Sequence, residues 1–292
     1  MNFISRVYLI RHFLPLVIFG MVACDNSKPN LQQDDATETN QDISIETNTV
    51  AGKLVEIPLV DTVFHADTSK LYIYLSFDDG PQHGTTNCIN ICKAEAVKAS
   101  FFMIGLHQHL TSDGKQIVSE IRNSYPQYLL ANHSYNHAKG KYANFYHHPH
   151  LAMMDFLRTQ DSIQPIFKII RLPGNRAWVR QGDITASKLV KPVAHLLDSA
   201  GYNVIGWDLE WGFSHKSARP LQTPEKLAAQ VDSAFAHNNT HTYKNLVLLS
   251  HDRMFSHPED SAKLVRFIQI LKQNPQYKFE TVDHYPGLKQ YK

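Results

Sequence analysis

Two aspartates, Asp78 and Asp79, stand side by side where an apolar run ends, in the stretch LSFDDGPQHG at 75–84. Adjacent carboxylates repel, so a fold that sets them at a strand end needs a compensating partner. Further on, His133-Ser-Tyr-Asn-His137 spaces two imidazoles four apart. On a helical turn that spacing sends both to one side, within reach of one metal ion. Two histidines and a carboxylate leave coordination positions open, which is the pattern of catalytic zinc. The cation would also answer the repulsion, with Asp78 and Asp79 flanking one site in different roles, one as ligand and one as base. Each piece alone has a plainer reading. Asp-Gly-Pro is strong turn chemistry. The chain has 17 histidines in 292 residues, for which about one such His pair arises by chance. A second pair, His237 and His241, lies at a helix end with no acid at a strand end beside it, and reads as surface. His147, His148 and His150 read as a solvated loop, with a further metal ligand there as the alternative.

The elements that must position these groups follow one pattern. Short β-rich runs end in chemically capable residues: KLYIYLSF at Asp78-Asp79, YLLAN at His133, FKIIRLPG with Arg171, NVIGWDLEW with Asp208 and Glu210, and NLVLLSH at His251. SFFMIG is another such run, after a helix-like CINICKAEAVKA. Helix-length stretches lie between them, at 187–201 and 224–238. Thr223 can cap the second, with Pro224 and Glu225 suited to its first turn, and Gly201 closes the first. Strands alternating with helices predict an α/β fold with a mostly parallel sheet. In such folds the functional groups gather at the strands' C-terminal ends. Cys88 and Cys92 share a helix face and read as core.

The composition is globular, 43% hydrophobic and 19% charged, and the net charge of +2 gives no case for a nucleic-acid partner. Arg6 and Arg11 accompany an apolar run, Phe13 to Val22, that is too short to span a bilayer and matches a secretory signal. It ends in Met21-Val22-Ala23-Cys24, which resembles the lipobox of bacterial lipoproteins, where the Cys is acylated and anchors the mature chain. An ordinary cleaved signal is the alternative. Residues 25–50 are acidic, polar and short of large apolar side chains, so they read as a disordered tether. The expected organisation is a signal peptide at 1–23, a tether and lead-in at 24–66, and one catalytic domain at 67–292, exported, lipid-anchored through Cys24 and monomeric.

The ordered motifs resemble the polysaccharide deacetylases of carbohydrate esterase family 4, the NodB-homology domains. SFDDGP (76–81), VKASFFMIG (97–105), NHSYNH (132–137), RLPGN (171–175), GYNVIGWDLEW (201–211) and LVLLSHD (246–252) run in the family's order over about residues 70–255. The resemblance implies a distorted (β/α) barrel of NodB type. It implies Asp79, His133 and His137 as metal ligands, with zinc or another divalent transition metal. Asp78 would be the general base, His251 the general acid, and Arg171 the residue that holds Asp78. Asp208 or Glu210 would tune His251.

The reaction implied is metal-dependent hydrolysis of an N-acetyl group on an N-acetylhexosamine glycan such as peptidoglycan or chitin. An O-acetyl esterase acting on xylan, and a glycan-binding lipoprotein without catalysis, are the alternatives. The loop Pro173-Gly174 is the candidate to offer a backbone N–H to the oxyanion, and Trp211 is a candidate to stack on a sugar, with core packing as the equal alternative. The family's third motif has an aromatic before its Gly, where this chain has Pro173-Gly174-Asn175. Its fourth is longer than Trp207-Asp208-Leu209-Glu210-Trp211.

Overall fold

The computed structural model describes residues 64–289. The signal run, Cys24 and the tether up to residue 63 lie outside the described residues. Among the described residues no helix is long and apolar enough to cross a membrane.

Strands β1 (Leu71–Asp78), β2 (Ala99–Met103), β3 (Tyr128–Asn132), β4 (Ile169–Ile170), β5 (Trp178–Arg180), β6 (Asp183–Thr185), β7 (Asn203–Val204), β8 (Leu209–Glu210), β9 (Asn245–His251) and β10 (Tyr277–Phe279) form one sheet. Its order is β6-β5-β7-β4-β3-β2-β1-β9-β8, with β10 paired to β1. All pairings are parallel except those of β5 with β6 and β7. Helices α1 (Thr85–Ala94), α2 (Gly114–Asn123), α3 (Tyr142–Tyr146), α4 (Pro149–Ile163), α5 (Lys191–Ser199), α6 (Pro224–Ala236) and α7 (Pro258–Lys272) alternate with the strands. Thr223 caps α6 as its sequence predicts, its hydroxyl accepting from the Lys226 N–H. Cys88 and Cys92 are free and buried.

The expected single strand over 203–211 is broken. β7 pairs with β4, while β8 pairs with β9 on the far side of the sheet order. So few residues joining such distant strands curl the sheet into a half-barrel, with 205–208 crossing the seam. The break has a cause. The carbonyls of Ile205 and Gly206 accept from Arg171. A Cβ on Gly206 would also meet the Trp178 ring at 2.8 Å.

The period of two along each strand divides the core. Ile73, Leu75 and Phe77 face outward into the cluster under α1, α6 and α7. Tyr72 and Tyr74 face inward, with Leu129, Ala131, Ile169 and Val247, and Val282, Tyr285 and Leu288 join them from the C-terminal segment. Extending the inward parity along each strand arrives at Ser76 and Asp78, His133, Arg171 and His251. The pleat that builds the interior therefore delivers five polar residues to one end of it.

Candidate active site

Asp78 and His251 are paired across β1 and β9 in the sheet register. Asp78 is 2% exposed and Arg171 0%. Arg171 Nη1 donates to Asp78 Oδ1 at 2.8 Å and to Ser76 Oγ at 2.8 Å. Its Nε and Nη2 donate to the carbonyls of Ile205 and Gly206 at 3.2 and 3.1 Å. Phe102 lies flat beneath the guanidinium at 4.0 Å. A buried cation is tolerated only when it is paired and hydrogen-bonded, and here all three guanidinium nitrogens donate. Burial pulls the Arg171 pKa down and Asp78 opposes that.

By alternation Asp79 would share the outward parity of Phe77; β1 ends at Asp78, and Asp79 breaks the alternation with a left-handed φ of 79°, a conformation to which aspartate is comparatively tolerant. Its Oδ1 lies 3.5 Å from His133 Nε2 and 3.3 Å from His137 Nε2, and its Oδ2 lies 4.0 Å from His251 Nε2. Asp78 Oδ2 is 3.6 Å from His133 Nε2. Burial would raise the Asp79 carboxyl, but the facing imidazoles outweigh it and hold the group below the usual range. Burial, then the neighbouring His133, brings the His137 pKa down to about 4 and keeps that imidazole neutral. Burial opposes charge on His133 as well, and Asp78 and Asp79 overcome it, so its pKa is raised.

The two histidines do not meet on an α-helix, as their spacing suggested. Ser134, His137, Ala138 and Lys139 all have positive φ, and the segment is a tight loop. Its polar groups are supplied locally. The Ser134 N–H donates to Asn132 Oδ1, and Ser134 Oγ accepts from the His137 N–H. Asp155 on α4 accepts from the N–H groups of Tyr135 and Asn136 at 2.6 and 3.4 Å, and from Asn136 Nδ2 at 2.7 Å.

Do these residues fit a metal ion? Asp79 Oδ1 is buried and has no hydrogen-bond partner, an arrangement that is costly unless a cation completes it. The ligand atoms of Asp79, His133 and His137 all lie within 4.8 Å of one another. Both imidazoles present Nε2, and His133 Nδ1 is 3.0 Å from the Arg171 carbonyl. That second contact fixes the tautomer a metal ligand needs. The donor set of two nitrogens and one carboxylate suits zinc.

Other expected residues are placed differently. Asp208 does not reach His251. Its Oδ1 accepts from the His241 N–H and its Oδ2 from the Val247 N–H, each at 2.7 Å. Both oxygens are thus spent on tying β9 to its lead-in. Glu210 is exposed. Neither makes a hydrogen bond to His251, whose Nδ1 is buried without a partner and whose ring packs on Phe213 at 4.8 Å.

Trp211 is 0% exposed, in the outer core against Phe255 and Phe267, with Nε1 donating to the Gln222 carbonyl. It offers no face to a sugar. Pro173 is buried and Gly174 exposed. The Pro173 carbonyl accepts from Tyr146 Oη at 2.7 Å, and Gly174 has φ 62°. The pair His237 and His241 is split: His241 stacks on Trp178 at 4.2 Å, with Nε2 3.1 Å from Asp183, and is not a surface residue. His147, His148 and His150 are exposed.

Sequence reasoning missed three contributors. Asp155 holds the histidine loop. Asp252 accepts from Gln82 Nε2 at 2.6 Å and from Thr85 Oγ1, joining the loop after β9 to the loop after β1. Tyr142 lies against His137 with ring centroids 5.5 Å apart. Asp155 acts from a distant helix, while Asp252 directly follows His251 and Tyr142 lies five residues past His137, and the sequence marks none of these roles.

A family model described as polysaccharide deacetylase matches residues 65–173. A chitin disaccharide deacetylase of Vibrio alginolyticus is 24% identical, aligned over 80% of this chain and 75% of its own length. A peptidoglycan-N-acetylmuramic acid deacetylase of Bacillus subtilis is also 24% identical, over 58% of this chain and 60% of its own. Among solved structures, the catalytic domain of a peptidoglycan N-acetylglucosamine deacetylase from Eubacterium rectale superposes with a TM-score of 0.55 at 20% identity. It covers 80% of this chain and 97% of that one, a likeness of fold.

Proposed function

We propose that this chain, which belongs to the polysaccharide deacetylase family, removes N-acetyl groups from an N-acetylhexosamine glycan of peptidoglycan or chitin type and releases acetate. The observation that carries this reading is the convergence of His133 and His137 on the unpartnered oxygen of Asp79, beside an Asp78 clamped by Arg171. The named activities of the relatives in Vibrio and Bacillus support the glycan class.

Asp79, His133 and His137 would hold zinc, which supplies Lewis-acid polarisation of the acetyl carbonyl and acidifies water. Asp78, kept aimed by Arg171, takes a proton from water as the new C–O bond forms. The Gly174 N–H is the backbone donor for the oxyanion. The C–N bond breaks as His251 gives its proton to the departing nitrogen, leaving a free amine and acetate. Water supplies both the oxygen and the hydrogen that balance the products. Cys24 would carry lipid and set the enzyme at a bacterial membrane facing the periplasm or the cell surface, next to envelope or external glycan. Labelling with an acyl analogue in cells, lost in Cys24→Ser, tests this.

The direct test is acetate release by zinc-loaded protein from chitooligosaccharides, peptidoglycan fragments and acetylated xylan. Release from an N-acetylated glycan that Asp78→Asn abolishes, while glycan binding persists, supports the reading. Release from xylan alone would replace it with an O-acetyl esterase. Silence on every substrate with glycan bound would make the chain a binding protein.

A further inference from the structure

His133 and His137 each turn Nε2 toward Asp79, which leaves Nδ1 of each to be fixed from behind. For His133 the Arg171 carbonyl does this at 3.0 Å. For His137 the group in that position is the phenol of Tyr142, with Oη 3.4 Å from Nδ1. The tyrosine ring also stands edge-on to the imidazole, at an interplanar angle of 88°.

Tyr142 is itself wedged. A Cβ on Gly174 would lie 2.9 Å from its ring carbons, so the absence of a side chain at 174 makes room for the phenol. One turn on, Tyr146 donates to the Pro173 carbonyl. The short helix α3 therefore grips the histidine loop with its first residue and the 172–175 loop with its last.

We propose that Tyr142 is a positioning residue for the metal site: its hydroxyl accepts from His137 Nδ1–H, fixes the tautomer that frees Nε2 for the ion, and is seated by the glycine at 174. This rests on the reading of Asp79, His133 and His137 as a metal site. It assigns the residue that orients the more exposed of the two imidazoles, which no local motif reveals. A hydrogen bond behind a ligating histidine raises its basicity, and losing such a partner typically costs about 10–100-fold in affinity or activity.

The experiment is chelator-competition titration of zinc into the native protein and Tyr142→Phe, with thermal unfolding of both metal-free forms. Nitrogen-15 spectra of the imidazoles, zinc-loaded, run beside it. Zinc affinity should fall about tenfold or more in Tyr142→Phe, with metal-free melting unchanged and only the His137 Nδ1 resonance displaced. Equal affinity in the two proteins, or a native His137 without a proton on Nδ1, overturns the proposal while leaving the metal site standing. A native protein that fails to bind zinc overturns the site and this proposal together. Should Tyr142→Phe melt early, the Nδ1 signal of the native protein decides alone.

Discussion

Arg171 and Asp78 meet at 2.8 Å with side chains 1% and 3% exposed, so the carboxylate proposed as base cannot turn away from the guanidinium. Removing one partner of such a pair leaves an uncompensated buried charge, a cost of about 3–5 kcal/mol. Arg171→Met should therefore lower the unfolding free energy by about that amount and lower kcat together with it. Asp78→Asn should lower kcat by about 10²–10⁴, the usual contribution of a positioned proton acceptor. Denaturant melts and steady-state acetate release check both. An Arg171→Met protein that melts and turns over like the native one would refute the coupling.

Metal removal gives a separate prediction. Asp79 Oδ1 lacks any hydrogen-bond partner, so replacing it should not break a network, only the ligand set. Asp79→Ala should keep its secondary structure, lose stoichiometric zinc in elemental analysis, and release no acetate. In the native protein a chelator should abolish release and added zinc restore it. Persistent activity in a protein shown to be metal-free would end the metal-dependent reading.

Much of this site was legible because its residues lie on strand ends with the correct parity. The alternation that makes Tyr72 and Tyr74 interior carries Asp78 inward, and the same count carries His133, Arg171 and His251 there. The failures also have a physical cause. Asp208 lies in the break at 205–208 and Trp211 follows it, and across a break the period of two no longer predicts direction. Asp155 reaches the site through tertiary packing from α4, and Asp252 and Tyr142, though near His251 and His137 in sequence, take their roles from how their loops fold, which their residue types alone do not show.

Asp252 predicts a pH effect on stability. Burial pushes its carboxyl up to about 8, against the opposing hydrogen bonds of Thr85 and Gln82. Its folded pKa thus exceeds the ordinary 3.8. Between those values the folded chain holds a proton that the unfolded chain has released, so this group's contribution makes stability fall as pH rises through the window. Asp252→Asn should flatten that slope and raise the denaturation midpoint at pH 8, since the amide keeps shape and hydrogen bonding without ionising. Urea melts from pH 4 to pH 8 check it, and an unchanged slope would show that Asp252 is ionised in the fold.

Asp208 and Glu210 separate structural from catalytic roles. Each oxygen of Asp208 accepts a backbone N–H, one from His241 and one from Val247. Asp208→Ala strands both donors, at about 1–3 kcal/mol each, and should destabilise the fold. Asp208→Asn can replace one acceptor but turns an amide N–H₂ toward the other donor, so it should also destabilise. Neither change touches His251, so the alkaline limb of the kcat/KM profile should stay where it is in each protein that folds. Glu210→Gln, at an exposed carboxylate, should alter neither stability nor that limb. Were Glu210→Gln to shift the limb, Glu210 would turn toward His251 Nδ1 when substrate binds, and the buried, partnerless nitrogen would have found its acceptor.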